Sequence, residues 1–236
     1  MCVLQTNMAF SQYNSPDTIS AYEERLRNSY PQRAEIIAHI ASHVDGYVKT
    51  NVPITTAEKT DNSALECNVV SVLELCVGPG VLAAHLLDNL PQVHYTGIDF
   101  NQPFLDFTED RIQKHAGRAQ FVLADLRNDD WPKQLGALSN GQPFGAIVTM
   151  QSLHDVGNAD CISQIYKQCR VLLTTGGILL NVDFVVPSGQ EDPQRPGRLS
   201  REHHFDLLQK HGFEQIDCTL QIGEFGCFVG CVKDVY

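Results

Sequence analysis

The chain is short of positive charge. Lys and Arg number 17 of 236 residues against 28 Asp and Glu, a formal net charge of −11. That balance repels phosphate backbones and anionic bilayers, so neither nucleic acid nor a membrane surface is an expected partner. No apolar run approaches the roughly 20 residues that cross a bilayer. Eight cysteines are present, and no two stand as C-x-x-C, which removes the usual zinc-ribbon and thioredoxin signal. Their apolar neighbourhoods, as in GCFVGCV, read as buried reduced thiols. No G-x-x-x-x-G-K-[S/T] run exists, which excludes a P-loop, and no G-x-S-x-G elbow, which counts against a hydrolase. His203 and His204 are adjacent, so on a helix they point about 100° apart and do not make a metal site, and no metal is expected. The first residues, MCVLQTNMAFSQYN, lack the charged start and apolar stretch of a secretory signal and predict a cytoplasmic protein.

What is present is a good core. Hydrophobic residues make up 43% of the chain, enough for one large domain. Two regions differ in pattern. Residues 1–66 read as an N-terminal helical region and linker: a helix over DTISAYEERLRNSY, a second with Pro31 in its first turn and Ile36, Ile37, Ile40 and Val44 at helical spacing, then a polar stretch from residue 50. Residues 67–236 alternate strands and helices. NVVSVLELC, VHYTGID, AQFVLAD, FGAIVTM and GGILLNVDF read as strands. Between them, helical runs include ADCISQIYKQCRVLL, where Ile162, Ile165, Tyr166 and Cys169 share a face. This is the pattern of an α/β, Rossmann-like doubly wound sheet, mostly parallel. The closing pair around Gly223-Glu224 resembles a hairpin and predicts one antiparallel edge strand.

The most informative segment is Glu74-Leu75-Cys76-Val77-Gly78-Pro79-Gly80-Val81, where a strand meets a helix through a glycine turn. Such turns let a ligand approach the backbone at the carboxyl ends of the strands. The second strand ends in Asp99, which can accept from both hydroxyls of a ribose, followed by Phe100. The third ends in Asp125-Leu126. Glu74, Asp99 and Asp125 around one crevice suit a cationic ligand with hydroxyls and suit a pyrophosphate poorly. Gly78-x-Gly80-x-x-Ala83 formally fits a dinucleotide fingerprint. A nicotinamide-dependent oxidoreductase therefore stays the rival reading, though no Y-x-x-x-K pair supports it.

Together these segments resemble the class I S-adenosylmethionine-dependent methyltransferases over roughly 70% of the chain. Glu74-x-Cys76-x-Gly78-x-Gly80 is similar to that family's first motif, with Cys76 where its first glycine usually stands. The resemblance implies S-adenosylmethionine as cofactor, with Asp99 on the ribose and Asp125-Leu126 at the adenine. Met150 and Gln151, after the fourth strand, would line the methionine arm. It also implies that the N-terminal helices cap the site, with Arg33 on the methionine carboxylate and Tyr22 and Tyr13 closing over the sulfonium and the acceptor.

A methyltransferase mainly positions its reactants and excludes water. His154, just after the fourth strand, reads first as a packing or edge contact to the cofactor and second as the candidate base; Asp155 would orient it or cap the next helix. His203 and His204 follow the polar loop 184–198 and are candidates for the acceptor pocket, or alternatively exposed helix residues. Met150-Gln151 replaces the carboxylate that a magnesium-assisted enzyme would carry there. The Asn/Asp-Pro-Pro-Tyr/Phe run of nucleic-acid amino-methyltransferases is also missing, so the expected acceptor is a small molecule. A homodimer and a non-catalytic, cofactor-binding relative of the fold both remain compatible with the sequence.

Overall fold

The structure is a computed structural model that describes residues 12–51, 69–138 and 141–233. The polar stretch read as a linker lies outside these residues from 52 onward, as do Cys2 and Cys67. The six described cysteines are free thiols.

Two N-terminal helices, α1 (Pro16–Ser29) and α2 (Arg33–Asn51), precede the sheet. Ser15 caps α1, its hydroxyl accepting from the Thr18 backbone while the Thr18 hydroxyl accepts from the Ser15 backbone, and Pro16 occupies the first turn. Pro31 falls in the turn before α2 rather than inside it. The expected strands and helices then follow: β1 (Val70–Leu75), α3 (Val81–Asn89), β2 (Val93–Asp99), α4 (Gln102–Arg111) and β3 (Ala119–Leu123). After them come α5 (Trp131–Leu138), β4 (Phe144–Met150), the short α6 (Leu153–Val156), α7 (Ala159–Leu172) and β5 (Leu173–Val186). The chain closes with β6 (Leu199–Ser200), α8 (Arg201–Lys210), β7 (Glu214–Ile222) and β8 (Phe225–Cys231).

The main sheet runs β3-β2-β1-β4-β5-β8-β7, with β6 paired to the end of β5. The pairs among β1 to β5 are all parallel, and β8 is antiparallel to both β5 and β7. The antiparallel strand therefore stands one place in from the edge, not at the edge as the hairpin pattern suggested. The crossover through α8 returns β7 parallel to β5 but one strand-width away, and the hairpin folds β8 back into that slot.

Continuous apolar runs make the central strands buried on both faces; all seven residues of β4 are buried. On one face, Ile36, Ile40 and Val44 of α2 and Leu82 and Leu86 of α3 pack on β1, β4 and β5. On the other, Trp131, Ile162, Tyr166 and Leu208 fill the space against Leu73, Ile147 and Leu179. Trp131 is fully buried and donates to Gln168 Oε1 at 2.9 Å, so it is a packing residue. α1 stands apart from both cores. Its Ile19 packs with Tyr13 against Phe104 of α4, which lays α1 across the carboxyl ends of the strands.

The strand order reverses between β1 and β4, the point where an open α/β sheet opens a crevice beyond its carboxyl ends.

Candidate active site

The glycine turn after β1 sets the floor of this crevice. Cys76, Gly78 and Gly80 all adopt positive φ, at 57°, 55° and 73°. The two glycines do so for different reasons. A Cβ on Gly80 would stand 2.4 Å from the Thr108 side chain, so this glycine exists for packing and does not line the crevice. A Cβ on Gly78 would meet nothing within 4 Å; it would project into open space at the cleft. Thr108 closes the turn by donating to the Gly78 carbonyl at 3.0 Å.

Asp99 ends β2 beside this turn. Its Oδ2 accepts from the Gly78 backbone and its Oδ1 from the Asn101 backbone, each at 2.9 Å. Burial lifts its carboxyl to about 6, against the pull of the backbone N–H groups of Gly78, Asn101 and Phe100. Asp99, Phe100, Phe104, Asp125 and Leu126 line one cavity. Arg33, Glu74 and Met150 line the next. Tyr22, Cys76, Gly78, Gln151 and Ser152 line both, so the two form one cleft.

The three carboxylates are not equivalent, and this corrects the picture of an evenly acidic ring. Glu74 is buried and accepts the Tyr95 hydroxyl at Oε2, 2.8 Å away. Burial raises its carboxyl to about 8, helped by Asp99 and opposed by the Tyr95 hydrogen bond and Arg33. It is therefore mostly neutral at pH 7. Asp125 is spanned by the Arg127 guanidinium, whose Nε lies 2.7 and 3.0 Å from its two oxygens. Burial alone would raise this carboxyl; the Arg127 hydrogen bonds outweigh it and hold the group below its usual range.

Gln151 occupies the centre. It is a second non-glycine residue at positive φ, 54°, and its side-chain oxygen accepts from Arg33 Nη1. Left-handed residues other than glycine each store roughly 1–3 kcal/mol of strain and concentrate at functional sites. The Gln151 side-chain Nε2 is buried with no partner among the described residues. An orphaned donor of this kind calls for a ligand atom. Tyr22, contributed by α1, faces it. Burial, with Tyr13 and Asp155 adding, pushes the Tyr22 hydroxyl up to about 12.

A third cavity of about 450 Å³ opens on the other side of Tyr22 and Gln151, which are therefore shared by all three. Tyr13, Tyr30, His154, Asp155, Phe184 and Arg198 line it. His154 is held here by a residue the sequence did not single out. Asp183, near the end of β5, lies with Oδ1 2.6 Å from His154 Nδ1 and with Oδ2 accepting the His154 backbone N–H at 2.9 Å. A carboxylate can only accept, so Nδ1 carries the proton and the neutral ring's lone pair is at Nε2. Asp155 approaches Nε2 at 3.3 Å, so it neither orients the ring through Nδ1 nor caps the next helix, where Asn158 serves instead. Burial lowers the imidazole's pKa, but Asp183 and Asp155 outweigh it and hold the net value above the ordinary histidine range.

The remaining histidines correct the sequence reading. His204 is fully buried, stacked on Phe228 at 4.2 Å, with its Nδ1 2.8 Å from the Tyr166 hydroxyl. Neither His203 nor His204 lines the three cavities. Both sit in the first turn of α8, where the Ser200 cap fixes the backbone and the inward stripe of His204, Leu207 and Leu208 packs into the core. Among the described residues no group of histidine, cysteine and carboxylate side chains could hold a metal ion.

The strand order, with a cleft at its switch point, defines a Rossmann-like doubly wound core. Residues 73–179 match the family model described as a methyltransferase domain. That matched segment carries the glycine turn, Asp99, Asp125 and Gln151, the residues on which the methyltransferase resemblance rests. Among curated proteins it is 30% identical over 115 residues to the demethylmenaquinone methyltransferase of Leptospira interrogans, covering 48% of this chain and 42% of that one. It is 26% identical over 167 residues to fusarielin synthase FSL1 of Gibberella zeae, covering 61% of this chain and 6% of the synthase. The chain thus spans less than half the length of either relative. Among solved structures, the citrinin polyketide synthase CMeT domain superposes with a TM-score of 0.70 at 16% identity, covering 96% of this chain and 60% of that one. PigF with SAH does so with 0.64, also at 16% identity, covering 94% and 61%. At these identities the structural likeness speaks for the fold.

Proposed function

We propose that this chain transfers a methyl group from S-adenosylmethionine to an oxygen, nitrogen or carbon atom of a small-molecule acceptor, acting in the cytoplasm and not on nucleic acid. The supporting observation is that Tyr22 and Gln151 border all three cavities. A donor lying along the cleft from Asp99 to Arg33 has its middle at those two side chains, facing the cavity of His154.

The residues present fit that donor. Asp99 sits where ribose hydroxyls can donate to it, and Phe100 and Leu126 offer apolar walls beside it for a purine. The open space at Gly78 leaves room for the backbone to be approached. Arg33 and the unpartnered amide nitrogen of Gln151 offer donors to a carboxylate. When bound, the cofactor supplies a methyl on a sulfonium, whose carbon–sulfur bond breaks toward sulfur as the acceptor's electron pair takes the carbon.

The protein's own work is then positional and protolytic. Tyr22 and Tyr13, carried by and packed beneath α1, close the cleft and keep water from it. We propose residues 1–66 as this cap, although α2 also belongs to the core of the sheet. Where the acceptor atom bears a proton, His154 takes it at Nε2, and Asp183 holds the ring at Nδ1 and stabilises the imidazolium that forms.

Incubating the protein with methyl-tritiated S-adenosylmethionine and a small-molecule extract tests this. Label should pass to compounds of metabolite size, and His154→Gln should slow the transfer. Label appearing only in added RNA or protein, or no transfer with any fraction, would contradict the proposal.

A further inference from the structure

The acceptor cavity has a feature that methyl transfer does not require. Arg198 lies over the Phe184 ring, its guanidinium carbon 3.8 Å from the ring centroid. Phe184 in turn meets the His154 ring edge-on at 4.6 Å. Arg198 and Phe184 come together because β6 pairs with the end of β5, Val185 with Leu199, and each lies one residue before that pair. The backbone beside this arginine is closely packed. Gly197 presses on the loop that carries His154, so closely that a Cβ would stand 2.3 Å from the His154 carbonyl oxygen and 2.5 Å from that of Gly157.

Yet the guanidinium has no ion pair and no hydrogen bond among the described residues. This holds in a chain with 28 acidic side chains to 17 basic ones. Asp155 feels its charge but is turned to His154 Nε2. A half-buried guanidinium stacked on an aromatic ring keeps its planar fork of donors in one orientation and matches carboxylate or phosphate oxygens two at a time. Tyr30 meets Phe184 edge-on at 5.7 Å, and Tyr13 and Tyr22 also line the cavity, so part of its wall is aromatic.

We infer that the acceptor is an anion: a planar molecule whose carboxylate or phosphate oxygens lie on the Arg198 fork while its nucleophilic atom faces His154. This rests on the methyl-transfer reading and adds the charge of the substrate to it. A neutral acceptor of the same shape would leave the Arg198 donors unpaired on closure, at the cost of desolvating them.

Calorimetric titration of the protein saturated with S-adenosylhomocysteine tests the inference, with benzoate, phenyl phosphate and neutral benzamide as probes. At least one anion should bind in the millimolar range or better, and benzamide about tenfold or more weakly. Whichever of benzoate and phenyl phosphate binds more tightly identifies the oxyanion. Arg198→Gln should abolish the preference while leaving S-adenosylhomocysteine affinity unchanged. If that variant does not fold, Arg198→Lys, which keeps the charge and loses the fork, should weaken anion binding. Equal binding of benzamide and the anions, no binding of either anion, or an unaltered preference in the variants would overturn the inference. Failure of S-adenosylhomocysteine itself to bind would instead strike the underlying reading.

Discussion

Asp183 grips His154 twice, at the ring through Nδ1 and at the backbone through N–H, with contacts of 2.6 and 2.9 Å. The two residues come from different elements, the end of β5 and the start of α6. The pairing fixes the imidazole's orientation and its tautomer together.

Asp183 should therefore act on rate through His154. If the acceptor's proton goes to His154, the base must be neutral, and activity should rise as pH passes upward through a histidine pKa above the ordinary 6.5. In Asp183→Asn that limb should move to lower pH, because the carboxylate that favours the imidazolium is gone, and kcat should fall by about 10²-fold or more with a smaller change in KM. A pH–rate profile identical to the wild type would remove Asp183 from the mechanism.

Glu74 makes stability depend on pH in the opposite sense to an ordinary salt-bridged acid. Its folded carboxyl is raised from 4.5 to about 8, so above its unfolded value the native state binds more protons than the unfolded one. Stability should fall as pH rises from about 4.5 to about 8 on this account and then level off. Glu74→Gln keeps an acceptor for the Tyr95 hydroxyl and should flatten that slope. Urea unfolding of both proteins at about pH 6 and about pH 9 measures the difference; parallel slopes would show that Glu74 ionises normally.

The two glycines should separate on mutation. Gly80→Ala combines left-handed strain of about 1–2 kcal/mol with a collision against Thr108 and should destabilise the fold by more than that. Gly78→Ala carries the strain alone, but its methyl enters the cleft, so its larger effect should be on S-adenosylhomocysteine affinity. Thermal melts with and without that ligand distinguish the two.

How much of this was visible in the sequence follows from the length of each signal. β2 and β4 are found at their observed limits because continuous apolar runs bounded by turn residues leave little choice of end. The four-residue α6 and two-residue β6 are too short to show any period, yet they carry His154 and place Arg198. The glycine turn, Asp99 and Gln151 stand at strand carboxyl ends and Tyr22 and Arg33 on the N-terminal helices, positions the sequence pattern offers as site candidates, and the structure brings them to one cleft. Asp183 was hidden by the apolar run around it and by lying 29 positions beyond His154. A lone acid near the carboxyl end of a buried strand was the available clue. His204 shows the converse error: its spacing to Leu207 and Leu208 marks the buried face of α8, and that outweighs its proximity to the loop.

His204 then belongs to stability rather than catalysis. Burial lowers its pKa to about 4, so the unfolded state binds an extra proton between there and 6.5, and stability should drop as pH falls through that window. His204→Phe keeps the stack on Phe228, should weaken this acid sensitivity and should leave kcat within about twofold of wild type. A large loss of activity in a folded variant would return His204 to the acceptor site.

The most direct test of the whole account is isothermal calorimetry of the protein with S-adenosylhomocysteine and, separately, with NADH. The cleft between Asp99 and Arg33 should bind the first stoichiometrically, with Asp99→Ala weakening it by about 1–3 kcal/mol, and should show no heat with the second. Clean binding of the dinucleotide, with none of the thioether nucleoside, would contradict it.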